Sequence, residues 1–182
     1  MKGRERTKDM TKEEKYAALV LQVKALCEGE NDMIAKMANV AALLHQEFGF
    51  WWTGFYRVEN PELRIENSAD ATNNSQLSTL NSQLILGPFQ GPIACVHIAY
   101  GRGVCGTAWK EKRTVVVPDV EKFPGHIACS SESRSEIVVP VFGVSKRPAV
   151  QEVIAVLDID SRELATFDDT DAQWLEKIVA CL

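Results

Sequence analysis

Apolar positions in the first fifty residues recur with a helical period. Thr11 followed by Glu14 has the pattern of a capping box, and Tyr16, Leu19, Val20, Val23 and Leu26 then repeat at helical spacing up to Gly29. This predicts a helix with one buried face. Asn31 is the expected cap of a second helix through about Glu47, with Met33, Ile34, Met37, Val40, Ala41 and Leu44 as its stripe and Gly49 as its stop. At Phe50 the period changes from helical to alternating. Phe50 to Val58, FWWTGFYRV, is dense in aromatic and β-branched residues and predicts a strand. Trp52, Gly54 and Tyr56 should share one face of it, and Trp51, Thr53 and Phe55 the other.

From 60 to 83 the chain is polar and without period, which predicts a long loop between two strands. Leu84 to Leu86 resumes as a second strand turned by Gly87-Pro88, and Ile93 to Ala99 reads as a third, carrying Cys95 and His97 on one face. Gly101 to Ala108 is a glycine-rich turn into a helix, with Cys105 at the helix start. Further strands are expected at Thr114 to Val117, Glu136 to Phe142 and 150 to 161, and the loop from Asp119 to Ser135 carries His126 and Cys129. Thr166 should cap a closing helix whose apolar face is Trp174, Leu175, Ile178, Val179 and Leu182. The expected fold class is α+β: one domain over 11–182, behind a flexible tail at 1–10, with a mainly antiparallel six-stranded sheet flanked by N-terminal and C-terminal helices.

Composition narrows what such a domain can do. A chain of 182 residues that is 46% hydrophobic can bury one good core. Its net charge of −5 and pI near 5.3 argue against a nucleic-acid or membrane surface, leaving small molecules and proteins as partners. The sequence has no apolar run long enough to span a membrane and no signal-peptide pattern, which predicts a cytoplasmic protein. In a reducing compartment, five cysteines are not a disulfide framework, so bonding among them should be transient and functional.

The chemistry concentrates between Gly87 and Ile137, which holds three of the five cysteines, two of the three histidines and six of the eleven glycines. Thiol redox chemistry uses such a set, and a structural zinc site is its rival. A reactive thiolate needs polar or positive surroundings, and Cys129, near His126 and flanked by Ser130 and Ser131, fits best. Cys95, Cys105 and Cys129 with His97 or His126 could supply four zinc ligands, but spacings of ten and twenty-four match no paired C-x-x-C knuckle. Gly101 to Ala108 matches neither the P-loop nor the dinucleotide fingerprint. Cys27 and Cys181 read as incidental, and Arg102 as a solvated loop charge. Asp158 and Asp160 lie on one face of the last strand, where two like charges facing a pocket would suit an ammonium group.

Five blocks then carry a resemblance: WTGFY at 52–56, LGPFQGPIACVHI at 86–98, GRGVCGTAW at 101–109, DVEKFPGHIACSSESRSEIVVPV at 119–141 and VLDIDS at 156–161. Together they resemble the GAF-domain free methionine-(R)-sulfoxide reductases over nearly the whole chain from Thr11. The polar segment at 60–83 and the turn from Ser145 to Val150 depart from the family between blocks. The resemblance implies a GAF fold and reduction of free L-methionine (R)-S-oxide, without a bound cofactor or metal. Electrons would come from thioredoxin, and from NADPH through thioredoxin reductase. By motif position Cys129 is the implied nucleophile, Cys95 the main resolving thiol and Cys105 a second one, with first attack by Cys105 an open alternative. Glu136, Asp158 and Asp160 are the implied carboxylates that hold the ammonium and protonate the sulfoxide oxygen, and Trp52 and Tyr56 the pocket walls. A non-catalytic GAF sensing module is the alternative reading, and the oligomeric state, a homodimer included, stays open.

Overall fold

The computed structural model describes residues 10–59, 82–127, 131–143 and 152–182. Helices α1 (Lys12–Cys27) and α2 (Met33–Phe48) lead into strand β1 (Trp52–Glu59), followed by β2 (Gln83–Gln90) and β3 (His97–Ala99). Helix α3 (Gly103–Glu111), strand β4 (Val115–Val117) and a 3-10 turn (Val120–Lys122) come next, then β5 (Ser135–Gly143), β6 (Glu152–Ser161) and helix α4 (Asp169–Val179). The strands form one six-stranded sheet in the order β3-β2-β1-β6-β5-β4, and all its pairings are antiparallel. No helix among the described residues is long and apolar enough to cross a membrane.

Alternation along the central strands divides the interior into two cores. Phe55 of β1, Ile137, Val139 and Val141 of β5, and Leu157 and Ile159 of β6 pack against α1, α2 and α4. Trp52 and Tyr56 of β1, Val138 of β5 and Val156 of β6 point to the other face, where α3 covers them with Val104, Cys105, Ala108 and Trp109. Most of these side chains are fully buried, each stabilising the fold by roughly 1.5–3 kcal/mol relative to exposure. The sheet is thus flanked on both faces: the terminal helices take one, and α3 the other.

Several local expectations change. The Thr11–Glu14 capping box starts α1, but Leu26 is 46% exposed and Cys27 is buried in its place. At about 100° per residue, Cys27 falls inside the arc of Tyr16, Leu19, Val20 and Val23, and Leu26 lies about 20° beyond its edge. Ile34, expected in the stripe of α2, is likewise exposed. Asp32, not Asn31, caps α2 by accepting from Ile34 N and Ala35 N. Asp168, not Thr166, caps α4 in a reciprocal box with Asp171, while the Thr166 hydroxyl donates to Ser161 Oγ. Asp171 is buried at the seam of α1 and α4, where the Tyr16 hydroxyl donates to it at 2.7 Å and Lys12 and the Asp168 amide also reach it. Strand β2 does not turn at Gly87-Pro88. A bulge opposite Phe55 lets the strand continue to Gln90, so the missing proline N–H leaves no gap in a regular ladder. Strand β3 is only three residues long, so Cys95 precedes it in irregular chain. The polar segment expected at 60–83 gives up Gln83 to β2; its residues 60–81, like the Ser145–Val150 turn, lie outside the described residues.

Candidate active site

A cavity opens between the α3 face of the sheet and the chain from Pro92 to Ala94. Strand register builds its floor. Glu136 of β5 pairs with Asp160 of β6, which pairs on its other side with Trp52 of β1. In the next row inward, Val138, Asp158 and Gly54 stand side by side. Two antiparallel ladders therefore bring three carboxyl groups from distant sequence positions to one patch, and Cys105, in the first turn of α3, lies over them. One donor atom each of Cys105, Glu136 and Asp158 lies within 4.8 Å of the others.

Gly54 is what lets Trp52 lie across this floor. A Cβ there would stand 2.5 Å from both Phe89 and the Trp52 ring, and the indole instead stacks on Phe89 and Tyr56 with ring centroids 5.5 and 5.9 Å apart. Both aromatic walls also tie down the segment leading to Cys95. Trp52 Nε1 donates to Pro92 O at 3.1 Å, and the Tyr56 hydroxyl donates to Cys95 O at 3.0 Å. Cys95 is disulfide-bonded, whereas Cys27, Cys105 and Cys181 are free thiols. Cys129, the expected nucleophile, lies outside the described residues.

Burial and mutual repulsion set the protonation of the floor. Glu136 is held well above the ordinary carboxylate range, first by burial and then by the charges of Asp158 and Asp160. Asp158 is also raised well above its usual range by burial and by Asp160, against which hydrogen bonds from the Cys105 thiol and from Glu136 act. Asp160, nearer the opening, is raised by burial only to about 6, with a hydrogen bond from Ser133 opposing the rise. Burial pushes the Cys105 thiol well up, and the neighbouring carboxylates add to it. At neutral pH the patch therefore contains a protonated thiol and a largely ionised Asp160, with Glu136 and Asp158 both shifted toward their protonated forms. Asp158 Oδ1 is buried without a hydrogen-bond partner among the described residues. His126 Nε2 is 3.8 Å from Glu136 Oε2, and burial lowers its pKa, keeping the imidazole neutral there.

The cavity thus collects Trp52, Tyr56, Cys105, Glu136, Asp158 and Asp160 from the expected set, with His126 added to them. His97 is exposed on the edge strand and stands apart. Trp51 corrects the alternation argument: it precedes β1, escapes the strand's geometry and lines the cavity beside Trp52. Its ring carries the Arg162 guanidinium at 3.3 Å, itself paired with Glu132 at 2.5 Å. Arg102, expected to be a solvated loop charge, is exposed at the cavity mouth just before α3. Ser133 was missed as well, because a loop serine carries no periodic signal.

Comparison with known proteins places this geometry. Residues 32–180 match the model of the GAF domain. The chain is 46% identical over 172 residues to "GAF domain-containing protein A" of Dictyostelium discoideum, covering 94% of this chain and 92% of that protein. It is 40% identical over 174 residues to "Free methionine-R-sulfoxide reductase" of Escherichia coli, covering 95% and 89%. Among solved structures, free methionine-R-sulfoxide reductase from Neisseria meningitidis in complex with its substrate superposes with a TM-score of 0.77 at 42% identity, covering 94% of this chain and 88% of that one. The fold is that of a GAF domain. Within that class, the chain belongs to the family of free methionine-R-sulfoxide reductases.

Proposed function

We propose that this protein reduces free L-methionine (R)-S-oxide to L-methionine and is recycled by thioredoxin in the cytoplasm. The observation that carries the reading is a cavity with a graded set of acids on its floor and a disulfide-bonded cysteine next to its wall. Asp160, ionised at neutral pH, attracts the substrate ammonium, and Asp158 Oδ1 offers it an unengaged acceptor. Glu136, whose burial favours the protonated form, is the acid for the sulfoxide oxygen. Trp51, Trp52 and Tyr56 give the apolar end of the substrate its walls.

In the proposed reaction the Cys129 thiolate attacks the sulfoxide sulfur as Glu136 protonates the oxygen. The oxygen passes to Cys129 as a sulfenic acid, and methionine leaves as the thioether. The Cys95 thiol then displaces water from the sulfenic acid to form a disulfide, which the thioredoxin dithiol reduces by exchange. Support for Cys95 as the resolving thiol is that it is bonded while Cys105 is free. The same acids favour the free amino acid: a residue within a polypeptide has an amide where the ammonium would be, so these buried acceptors would lose their cation.

The test is NADPH oxidation through thioredoxin reductase and thioredoxin with free methionine-(R)-sulfoxide, its S epimer and an N-blocked sulfoxide. Turnover of the free R form alone is the expected result. No turnover of any form by the reduced protein would leave a GAF sensing module as the better account.

A further inference from the structure

Cys105, Glu136 and Asp158 form an unusual donor set. A thiol and two carboxyls from three rigid elements have donor atoms within 4.8 Å of one another, yet the residues are only 4, 6 and 7% exposed. Donor atoms around a tetrahedral zinc stand roughly 3.6 Å apart, so small side-chain adjustments would close the set on an ion. Asp158 Oδ1, buried and without a hydrogen-bond partner, has its lone pairs unengaged. Among the described residues no lysine or arginine pairs with Glu136 or Asp158, and the nearest basic side chain is His126, 3.8 Å from Glu136.

We propose that Cys105, Glu136 and Asp158 constitute a binding site for a soft divalent cation, zinc being the physiological one, with its fourth position open to the cavity. One thiolate and two carboxylates favour zinc or cobalt over magnesium or calcium, whose preferred ligands are all oxygen. Three protein ligands with an open position make an accessible site, not a closed structural one. The bound ion would take the place of the protons that now hold the three acids together. It would also occupy the polar end of the cavity, so the metal would act as a reversible blocker of that cavity and not as a resident cofactor. This differs from a zinc site built on Cys95, because Cys95 is disulfide-bonded while Cys105 stays free.

That difference supplies the experiment. The full-length protein in its disulfide form is titrated with cobalt(II) in chelator-free buffer, following the near-ultraviolet thiolate-to-cobalt charge-transfer band. One cobalt per chain is expected, displaced by zinc. The band should persist in a Cys27→Ser/Cys181→Ser variant, vanish in Cys105→Ser and need at least tenfold more cobalt in Asp158→Asn. Absence of the band in the wild type, or its survival in Cys105→Ser, would overturn the proposal. Should Cys105→Ser fail to fold by circular dichroism, unchanged cobalt affinity in Asp158→Asn would overturn it equally. Because no turnover is involved, reductase activity without a band rejects only the metal site, and a band without activity rejects only the reductase reading.

Discussion

Asp160→Asn isolates the charge assigned to substrate capture. Burial raises the Asp160 carboxyl to about 6, so ionised and protonated forms stand at about ten to one at pH 7 and one to ten at pH 5. If the ammonium is drawn by the ionised form, kcat/KM for free methionine-(R)-sulfoxide should fall about tenfold over that interval, with the loss centred near pH 6. The ratio of wild-type to variant kcat/KM should follow this curve and approach its lower limit at pH 5. Initial rates with a chemical dithiol avoid the pH dependence of thioredoxin reductase, and dividing wild-type by variant rates cancels titration of the cysteines. A stability measurement gives an independent check on sign. A carboxyl whose pKa is raised on folding binds its proton more tightly in the native state, so stability is lost as pH rises from about 4 through about 6. Asn cannot ionise, so Asp160→Asn should raise Tm at pH 7 and leave it nearly unchanged at pH 4. Parallel pH profiles for the two proteins in both assays would refute the assignment of this charge.

Three further outcomes follow from other parts of the structure. Glu136→Gln keeps the shape but removes the acid, and kcat should fall by about 10²–10⁴ with KM much less affected, measured by single-turnover methionine release; an unchanged kcat would place the proton elsewhere. Cys95→Ser should release about one methionine per enzyme at a near-normal rate and then stall with thioredoxin, whereas wild-type steady-state rates would remove Cys95 from recycling. Tyr16→Phe leaves the buried Asp171 carboxylate without its 2.7 Å donor and should cost about 1–3 kcal/mol in urea unfolding without altering KM.

Where the sequence misled, the cause was local each time. A period of two says which residues of β1 share a face only once the strand begins, and Trp51 lies one residue before that point. Helical spacing put Leu26 in the stripe of α1, but it sits just beyond the edge of the buried arc, and Cys27, near the arc's centre, is the residue that packs. Gly87-Pro88 has the composition of a turn, and only pairing with β1 on one side shows it to be part of a bulged strand.

Periodicity, caps and turn residues determined the helices, most of the strands and the α+β class, because these depend on contacts within a few residues. The sequence also carried, in its spaced motifs, the family and the residue types of the site. What it could not determine was which acids meet. Glu136 and Asp160 are 24 positions apart and become neighbours only through the β5–β6 register, and Cys105 joins them only because α3 crosses that face. Their chemistry is likewise a tertiary property. The same carboxyl group would be ionised on a solvated loop; here burial and proximity push Glu136 toward its protonated form and leave Asp160 poised near 6.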